Sequence, residues 1–167
     1  SLMTPVVKSL FSDLGMEITS DAMQIFGGYG YTKDQGIEQF YRDNRITPIY
    51  EGTNSVQAAD LVFRKLSTKN GNIVDKFMNL IKSETNSNDE KMKPFVDTLN
   101  YNLGILKKFS DWTIDKIKTN KDDVSAAAND YLKTLGYISL AFSWIKVLTV
   151  SFKAVSYTHL TLPTTLQ

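Results

Sequence analysis

Apolar positions recur at intervals of three and four along almost the whole chain, the spacing of helix faces and not of strands. Pro5 suits the first turn of a helix, where its fixed φ is tolerated. From there Val7, Leu10, Phe11, Leu14, Ile18, Ala22, Ile25 and Phe26 fall on one helical face. Gly27 and Gly28 end that helix, because glycine readily takes the left-handed cap conformation. A turn follows through Gly30 and Lys33–Asp34. A second helix is predicted from Gln35 to Arg45, stopping ahead of Pro48, which disfavours helix in the residue before it. Thr53 or Asn54 caps a third helix, whose buried stripe is Val56, Ala59, Phe63 and Leu66.

The second half continues the pattern. Asn70-Gly71-Asn72 is a breaker and a module boundary. Ile73, Phe77, Leu80 and Ile81 predict a short amphipathic helix, and Ser83 to Asp89 a polar loop. Pro94 sits near the start of a long helix with the stripe Phe95, Leu99, Leu103, Leu106, Phe109, Thr113 and Ile117. Asn120 to Asp123 is the next turn. The last helix is lined by Val124, Ala128, Tyr131, Leu135, Ile138, Phe142, Ile145 and Phe152. There is no β alternation and no internal repeat. Short turns between long helices favour antiparallel neighbours, so the expected fold is all-α, an antiparallel helical bundle. The segment Ile138 to Val150 is the most apolar. Ser139, Ser143, Lys146 and Thr149 interrupt it, and it reads as a buried helix and not a membrane span.

Residues 155–167 change character. They carry no charge apart from His159, are rich in threonine and lack helical period. Val155 to Leu160 also spell the translation of a transposon end used in sequencing libraries. The segment is set aside as a non-native tail, the alternative being a disordered natural terminus. The expected organisation is 1–69 as one helical part, 70–154 as an additional helical segment, and 155–167 as that tail.

Composition narrows the chemistry. A length of 167 residues allows one domain or slightly more, and 42% hydrophobic residues suffice for a core. Nineteen basic and 18 acidic residues leave a net charge of +1, which gives no footing for nucleic acid or an anionic membrane. The absence of cysteine excludes disulfides, thiolate catalysis and cysteine-rich zinc sites. With His159 the sole histidine, neither a histidine metal cluster nor a Ser-His-Asp triad can be assembled, and no metal is expected. No secretory signal is visible at the N-terminus, and the expected setting is cytoplasmic.

Three blocks carry candidate chemistry. Gln24 to Tyr31 holds three glycines, which let a backbone approach a ligand closely. A helix precedes it, so it is not the dinucleotide fingerprint. A helix cap with a turn and a ligand contact are both open readings. In Glu38 to Arg45, Glu38 and Arg42 make a helical i,i+4 pair, and Arg42, Asp43 and Arg45 are read as structural ion pairs holding the following loop. The third block is Tyr50-Glu51-Gly52-Thr53. A lone glutamate is ordinarily a solvated surface group. Here Ile46, Ile49 and Tyr50 flank it, which suggests a packed loop, and Gly52 permits a tight turn. An apolar pocket would strip water from the carboxylate and make it a better base. A helix N-terminus directly after it would favour the anion, so the two effects oppose each other.

Together the blocks resemble the acyl-CoA dehydrogenase family. The resemblance runs from about Pro5 to Leu66: Ala-x-Gln-Ile-Phe-Gly-Gly-x-Gly-Tyr at Ala22 to Tyr31, Tyr-Arg-Asp-x-Arg-Ile at Tyr41 to Ile46, Ile-Tyr-Glu-Gly-Thr at Ile49 to Thr53, then Gln57. Residues 71–154 resemble the extra helical segment of the long-form, methylmercaptopropionyl-CoA dehydrogenase-like subgroup. The resemblance implies an FAD flavoprotein of fatty acid β-oxidation. Glu51 would be the base that removes the α proton of an acyl-CoA, with its backbone N–H polarising the thioester carbonyl. Gln24, Gly27 and Gly28 would contact the FAD of a neighbouring subunit, and Thr53 that of its own. The glutamine usual two places after that threonine is replaced by Ser55, leaving Gln57 as a candidate for a related role. The implied partners are acyl-CoA, an electron-transfer flavoprotein and further copies of the chain, as a dimer or tetramer. The family's N-terminal helical domain and middle β domain have no counterpart here, so the resemblance implies a C-terminal piece, inactive alone. An acyl-CoA oxidase of the same fold and a non-catalytic helical interaction module are the alternatives. The family's DNA-repair relative gains nothing from a neutral charge.

Overall fold

A computed structural model describes residues 1–67, 72–86 and 89–161, with side chains for 1–67, 73–86 and 89–154. The expected breaker at Asn70–Gly71, part of the polar loop, the His159 side chain and the end of the tail lie outside these. The chain runs as α1 (Met3–Phe26), the single turn α2 (Gly28–Tyr31), a 3-10 turn (Lys33–Gln35), α3 (Ile37–Asn44), α4 (Asn54–Ala59), a π-helical turn (Asp60–Lys65), α5 (Asn72–Glu84), α6 (Lys93–Thr119) and α7 (Lys121–Thr161). Among the described residues there is no strand, as the periodicity predicts.

The caps explain the boundaries. Pro5 lies in the first turn of α1, and Pro94 at the start of α6. Gly27 closes α1 at φ 59°, ψ −145°. This is not the left-handed helical cap expected there, but a region that glycine alone visits at low cost. Gly28 does not share in the cap; it begins α2. The second helix begins at Ile37 and not Gln35, because Gly36 takes a left-handed conformation (φ 71°) and separates the 3-10 turn from α3. Thr53 caps α4 as predicted, its hydroxyl accepting from the Val56 N–H. Asn120 Oδ1 accepts from the N–H groups of Asp122 and Asp123 at the start of α7.

The core joins one face each of α5, α6 and α7 to α4 and the π turn. Leu99, Leu103, Leu106, Val124, Tyr131, Leu135 and Ile138 are buried, so the stripes predicted for α6 and α7 hold, apart from half-exposed Phe95 at the mouth of α6. Tyr131 donates to Ser110 Oγ at 2.8 Å, since the single hydroxyl proton of Ser110 goes to the Leu106 carbonyl. Its ring meets Phe109 edge-on at 5.1 Å. Lys107 joins α5 to α6 by pairing with Asp75 at 3.1 Å and Asp111 at 2.8 Å.

Three expectations are corrected. The stripe read along α1 is largely solvent-facing: Phe11 is 59%, Ile18 65% and Ile25 84% exposed. α1 instead buries Pro5, Val6, Ser9 and Leu10, with Leu10 and Val6 seated on Gly136 of α7. After Asn54 the buried residues are Ala58, Leu61, Val62 and Leu66, with Val56 exposed. An i→i+5 bond from Leu66 N–H to Leu61 C=O widens the turn that follows α4, and Leu66 beyond it is buried as predicted. α5 buries Val74, Met78 and Ile81, leaving Leu80 outside.

Ile138 to Val150 is likewise buried on one side only. Ile138 and Ile145 are inside, while Trp144, Val147 and Val150 face out. By length and composition Lys121–Ala154 would cross a bilayer, with a hydropathy of 1.5 over its best window and 22% of that window buried. The α7 backbone stays helical to Thr161, into the segment whose composition lacks helical period.

Candidate functional site

Glu51 carries the one positive φ outside glycine among the described residues, at 55°, and Gly52 follows at 81°. For an L-residue this conformation costs about 1–2 kcal/mol, so the surroundings must impose it. They are visible. Gln57 Nε2 donates to the Glu51 carbonyl at 2.8 Å. Lys8 Nζ, from α1, donates to the Gly52 carbonyl at 2.9 Å and to Asn54 Oδ1 at 2.8 Å. The Asn54 amide nitrogen donates to Asp13 Oδ1 at 2.7 Å and to Ser12 Oγ at 2.9 Å. The loop is therefore clamped to α1 by polar groups.

The Glu51 side chain itself is exposed and makes no hydrogen bond or ion pair among the described residues, and its backbone N–H likewise donates to no acceptor there. Ile46, Ile49 and Tyr50 are half exposed, so the apolar walls expected around the carboxylate are not closed by this chain. Neither the exposed carboxylate nor the amide of Glu51 has a partner among the described residues.

Gln24, Gly27 and Gly28 do come together. With Ser20, Tyr31 and Tyr41 they line an open hollow of about 480 Å³ at the α1–α2 junction. A Cβ built on Gly27 or Gly28 would meet nothing within 4 Å, so both backbones lie open to a ligand. An amide, hydroxyls and bare backbone, with no carboxylate, form a donor set that fits part of a nucleotide cofactor. Neither Glu51 nor Thr53 lines this hollow. Thr53 stands two residues from Glu51 on the other loop, its hydroxyl engaged in the helix cap.

The expected ion-pair role of Arg42, Asp43 and Arg45 is only partly met. Arg42 pairs with Glu38 at 3.4 Å, and Asp43 accepts from Gln39 at 2.6 Å. These bonds lie within α3 and do not hold the loop; Lys8, Asn54 and Thr47 do, the last donating to the Asn44 carbonyl at 2.8 Å. Arg42 and Arg45 line a second hollow of about 560 Å³ with Lys33, beside the first. A larger hollow of about 670 Å³ between α6 and α7 is walled by Phe95, Tyr137 and Trp144. It is lined by no carboxylate, amine, guanidinium or imidazole, Tyr137 being its one ionisable group, and none of its lining residues belongs to the Glu51 loop.

The residues missed by sequence reasoning are Lys8 and Asn54. Polar Lys8, Ser9, Ser12 and Asp13 interrupt the apolar run of α1 on the face that packs, which was the available signal.

The chain is an all-α bundle with a left-handed glutamate on one loop and a glycine-rich open hollow on another. The family profile described as Acyl-CoA dehydrogenase, C-terminal domain matches residues 2–66, and that described as Acetyl-CoA dehydrogenase C-terminal like matches residues 73–160. The chain belongs to the acyl-CoA dehydrogenase family. It is 42% identical over 79 residues to 3-methylmercaptopropionyl-CoA dehydrogenase of Ruegeria pomeroyi, covering 47% of this chain and 13% of that one. It is 58% identical over 50 residues to the probable acyl-CoA dehydrogenase fadE25 of Mycobacterium leprae, covering 30% and 13%. The Caenorhabditis elegans ACDH-11 structure in complex with C11-CoA superposes with a TM-score of 0.66 at 25% identity, over 86% of this chain and 28% of that one. The chain thus spans about an eighth of the length of the curated relatives it matches.

Proposed function

We propose that the chain is the C-terminal part of an FAD-dependent acyl-CoA dehydrogenase that converts an acyl-CoA thioester to the trans-2-enoyl-CoA. Residues 1–69 form the part that bears the reactive loop, and residues 70–154 an additional helical segment. The observation that carries this reading is the left-handed Glu51, whose exposed carboxylate and backbone N–H both lack a partner among the described residues.

In this reading the Glu51 N–H donates to the thioester carbonyl oxygen and acidifies the α proton. The Glu51 carboxylate takes that proton, and the electron pair left on the α carbon becomes the second bond to the β carbon as hydride departs from the latter. FAD, when bound, supplies the acceptor for that hydride. Gln24, Gly27 and Gly28 hold the cofactor of a neighbouring copy, which makes the working enzyme a homo-oligomer, and Thr53 lies near the cofactor of its own. Electrons pass on to an electron-transfer flavoprotein. The remaining walls of the acyl and flavin sites come from domains outside this chain. The exposed apolar stripe of α1 supports that, being the kind of surface that packs against another domain. The chain alone is accordingly inactive.

The test is Glu51→Gln in the full-length flavoenzyme. Turnover should fall by about 10²–10⁴-fold, the usual worth of a positioned base, with the visible flavin spectrum retained. Near-normal turnover would refer the chemistry to another base or the chain to a non-catalytic role.

A further inference from the structure

We propose that Gln57 and Lys8 are positioning residues for Glu51, Gln57 acting on the peptide plane that follows it and Lys8 on the next one, and neither on its carboxylate; this rests on the reading of Glu51 as the base. Two successive residues with positive φ make a turn that an L-glutamate does not adopt unaided. Each carbonyl of that turn is held by a side chain from a different element. Gln57 reaches back from α4 to the Glu51 carbonyl at 2.8 Å, and Lys8 reaches across from α1 to the Gly52 carbonyl at 2.9 Å. Lys8 is itself fixed, because its second bond goes to Asn54 Oδ1 at 2.8 Å, and Asn54 is tied to Asp13 and Ser12 of α1.

The carboxylate has no partner of its own among the described residues. Nothing in the side chain's surroundings aims it. The Glu51 Cα–Cβ vector is fixed by the peptide planes on either side of its Cα; Gln57 holds the one that follows, through the Glu51 carbonyl, and Lys8 holds the next plane along, through the Gly52 carbonyl, which keeps the turn as a whole seated on α1. A base must stand within hydrogen-bond reach of the proton it removes, and a misplacement of about 1 Å costs about 10²-fold in rate. The Gln57 amide nitrogen is committed to the Glu51 backbone.

The experiment compares Gln57→Met, Lys8→Met and the isosteric Gln57→Glu, which replaces the donor by an acceptor in the same space, in the full-length flavoenzyme. Expected is a fall in kcat of about 10–100-fold, with KM for acyl-CoA within about twofold and flavin content and melting temperature unchanged. The primary isotope effect on α-deuterated substrate should rise, because proton abstraction becomes slower than the steps after it. Unchanged kcat and isotope effect in Gln57→Met and Lys8→Met overturn the proposal. So does a loss of activity that follows loss of flavin or of folded protein in all three variants. Glu51→Gln run alongside separates the two levels. If it keeps turnover, the base assignment fails; if it is inactive while the Gln57 and Lys8 variants are normal, only the positioning role fails.

Discussion

Gly27 and Gly28 are adjacent and face open space, yet they answer to different demands. Gly27 sits at φ 59°, ψ −145°, where a Cβ is strained whatever room surrounds it. Gly28 has ordinary backbone angles within a helical turn. Gly27→Ala should therefore destabilise the chain by about 1–3 kcal/mol. Gly28→Ala should change stability by no more than about 0.5 kcal/mol. In the full-length enzyme, however, the added methyl of Gly28→Ala would stand in the hollow assigned to the cofactor and weaken flavin retention. Denaturant melts of both variants, with flavin content for the second, check this; a stable, fully flavinated Gly28→Ala enzyme would count against the hollow as a cofactor contact. The same contrast between backbone demand and side-chain chemistry governs Glu51. In the proposed role its residue type answers to acid–base chemistry, whereas its conformation is held by neighbours that bond the turn's backbone and not the carboxylate.

At the scale of the elements, α6 and α7 are joined by apolar burial around one polar link, Tyr131 to Ser110. Burial pushes the Tyr131 phenol up to about 12. In the unfolded chain a tyrosine titrates near 10. The folded state thus holds the proton more tightly, and its stability from this group is complete below about pH 10 and lost as pH rises to about 12. The full loss is about 3 kcal/mol for two pH units. Tyr131→Phe should cost about 1 kcal/mol at neutral pH through the lost hydrogen bond, and should flatten that part of the alkaline decline. Chemical melts at pH 8 to 12 would show it; parallel curves for the two proteins would contradict the assignment. Leu103, buried against the same seam, should lose about 3–5 kcal/mol on change to alanine, the usual cost of an unfilled core cavity.

For the whole molecule, the informative feature is apolar surface with nothing against it. Phe11 and Ile18 lie on the exposed side of α1, at 59% and 65%. Phe11→Glu or Ile18→Glu should leave the stability of the isolated chain within about 0.5 kcal/mol. In the full-length enzyme the same charge would enter a buried contact and disrupt assembly, visible as a changed elution volume and lost flavin. Equal tolerance in both settings would mean that this stripe is not covered by the other domains. The faces of α7 bearing Trp144, Val147 and Val150 are exposed for a plainer reason, since α6 and α1 can cover only one side of a helix of 41 residues.

Local patterns were enough for the helices, the cap at Thr53, Pro94 at the start of α6, and the stripes of α6 and α7. Each depends on residues within a turn or two of one another. The face that α1 buries was not legible, because two apolar stripes share that helix and only packing selects between them. The stripe after Asn54 differs already at Ala58, ahead of the π turn, because packing seats Ala58, Leu61 and Val62 in the core and leaves Val56 outside. Left-handed Glu51 and its clamp belong wholly to the tertiary structure: Lys8 and Gly52 are 44 residues apart, and only the crossing of α1 under the loop brings the ammonium to the carbonyl. Sequence thus decided which groups are present and which segments coil, whereas the packing of those coils decided the backbone conformation at Glu51 and the bonds that hold its turn.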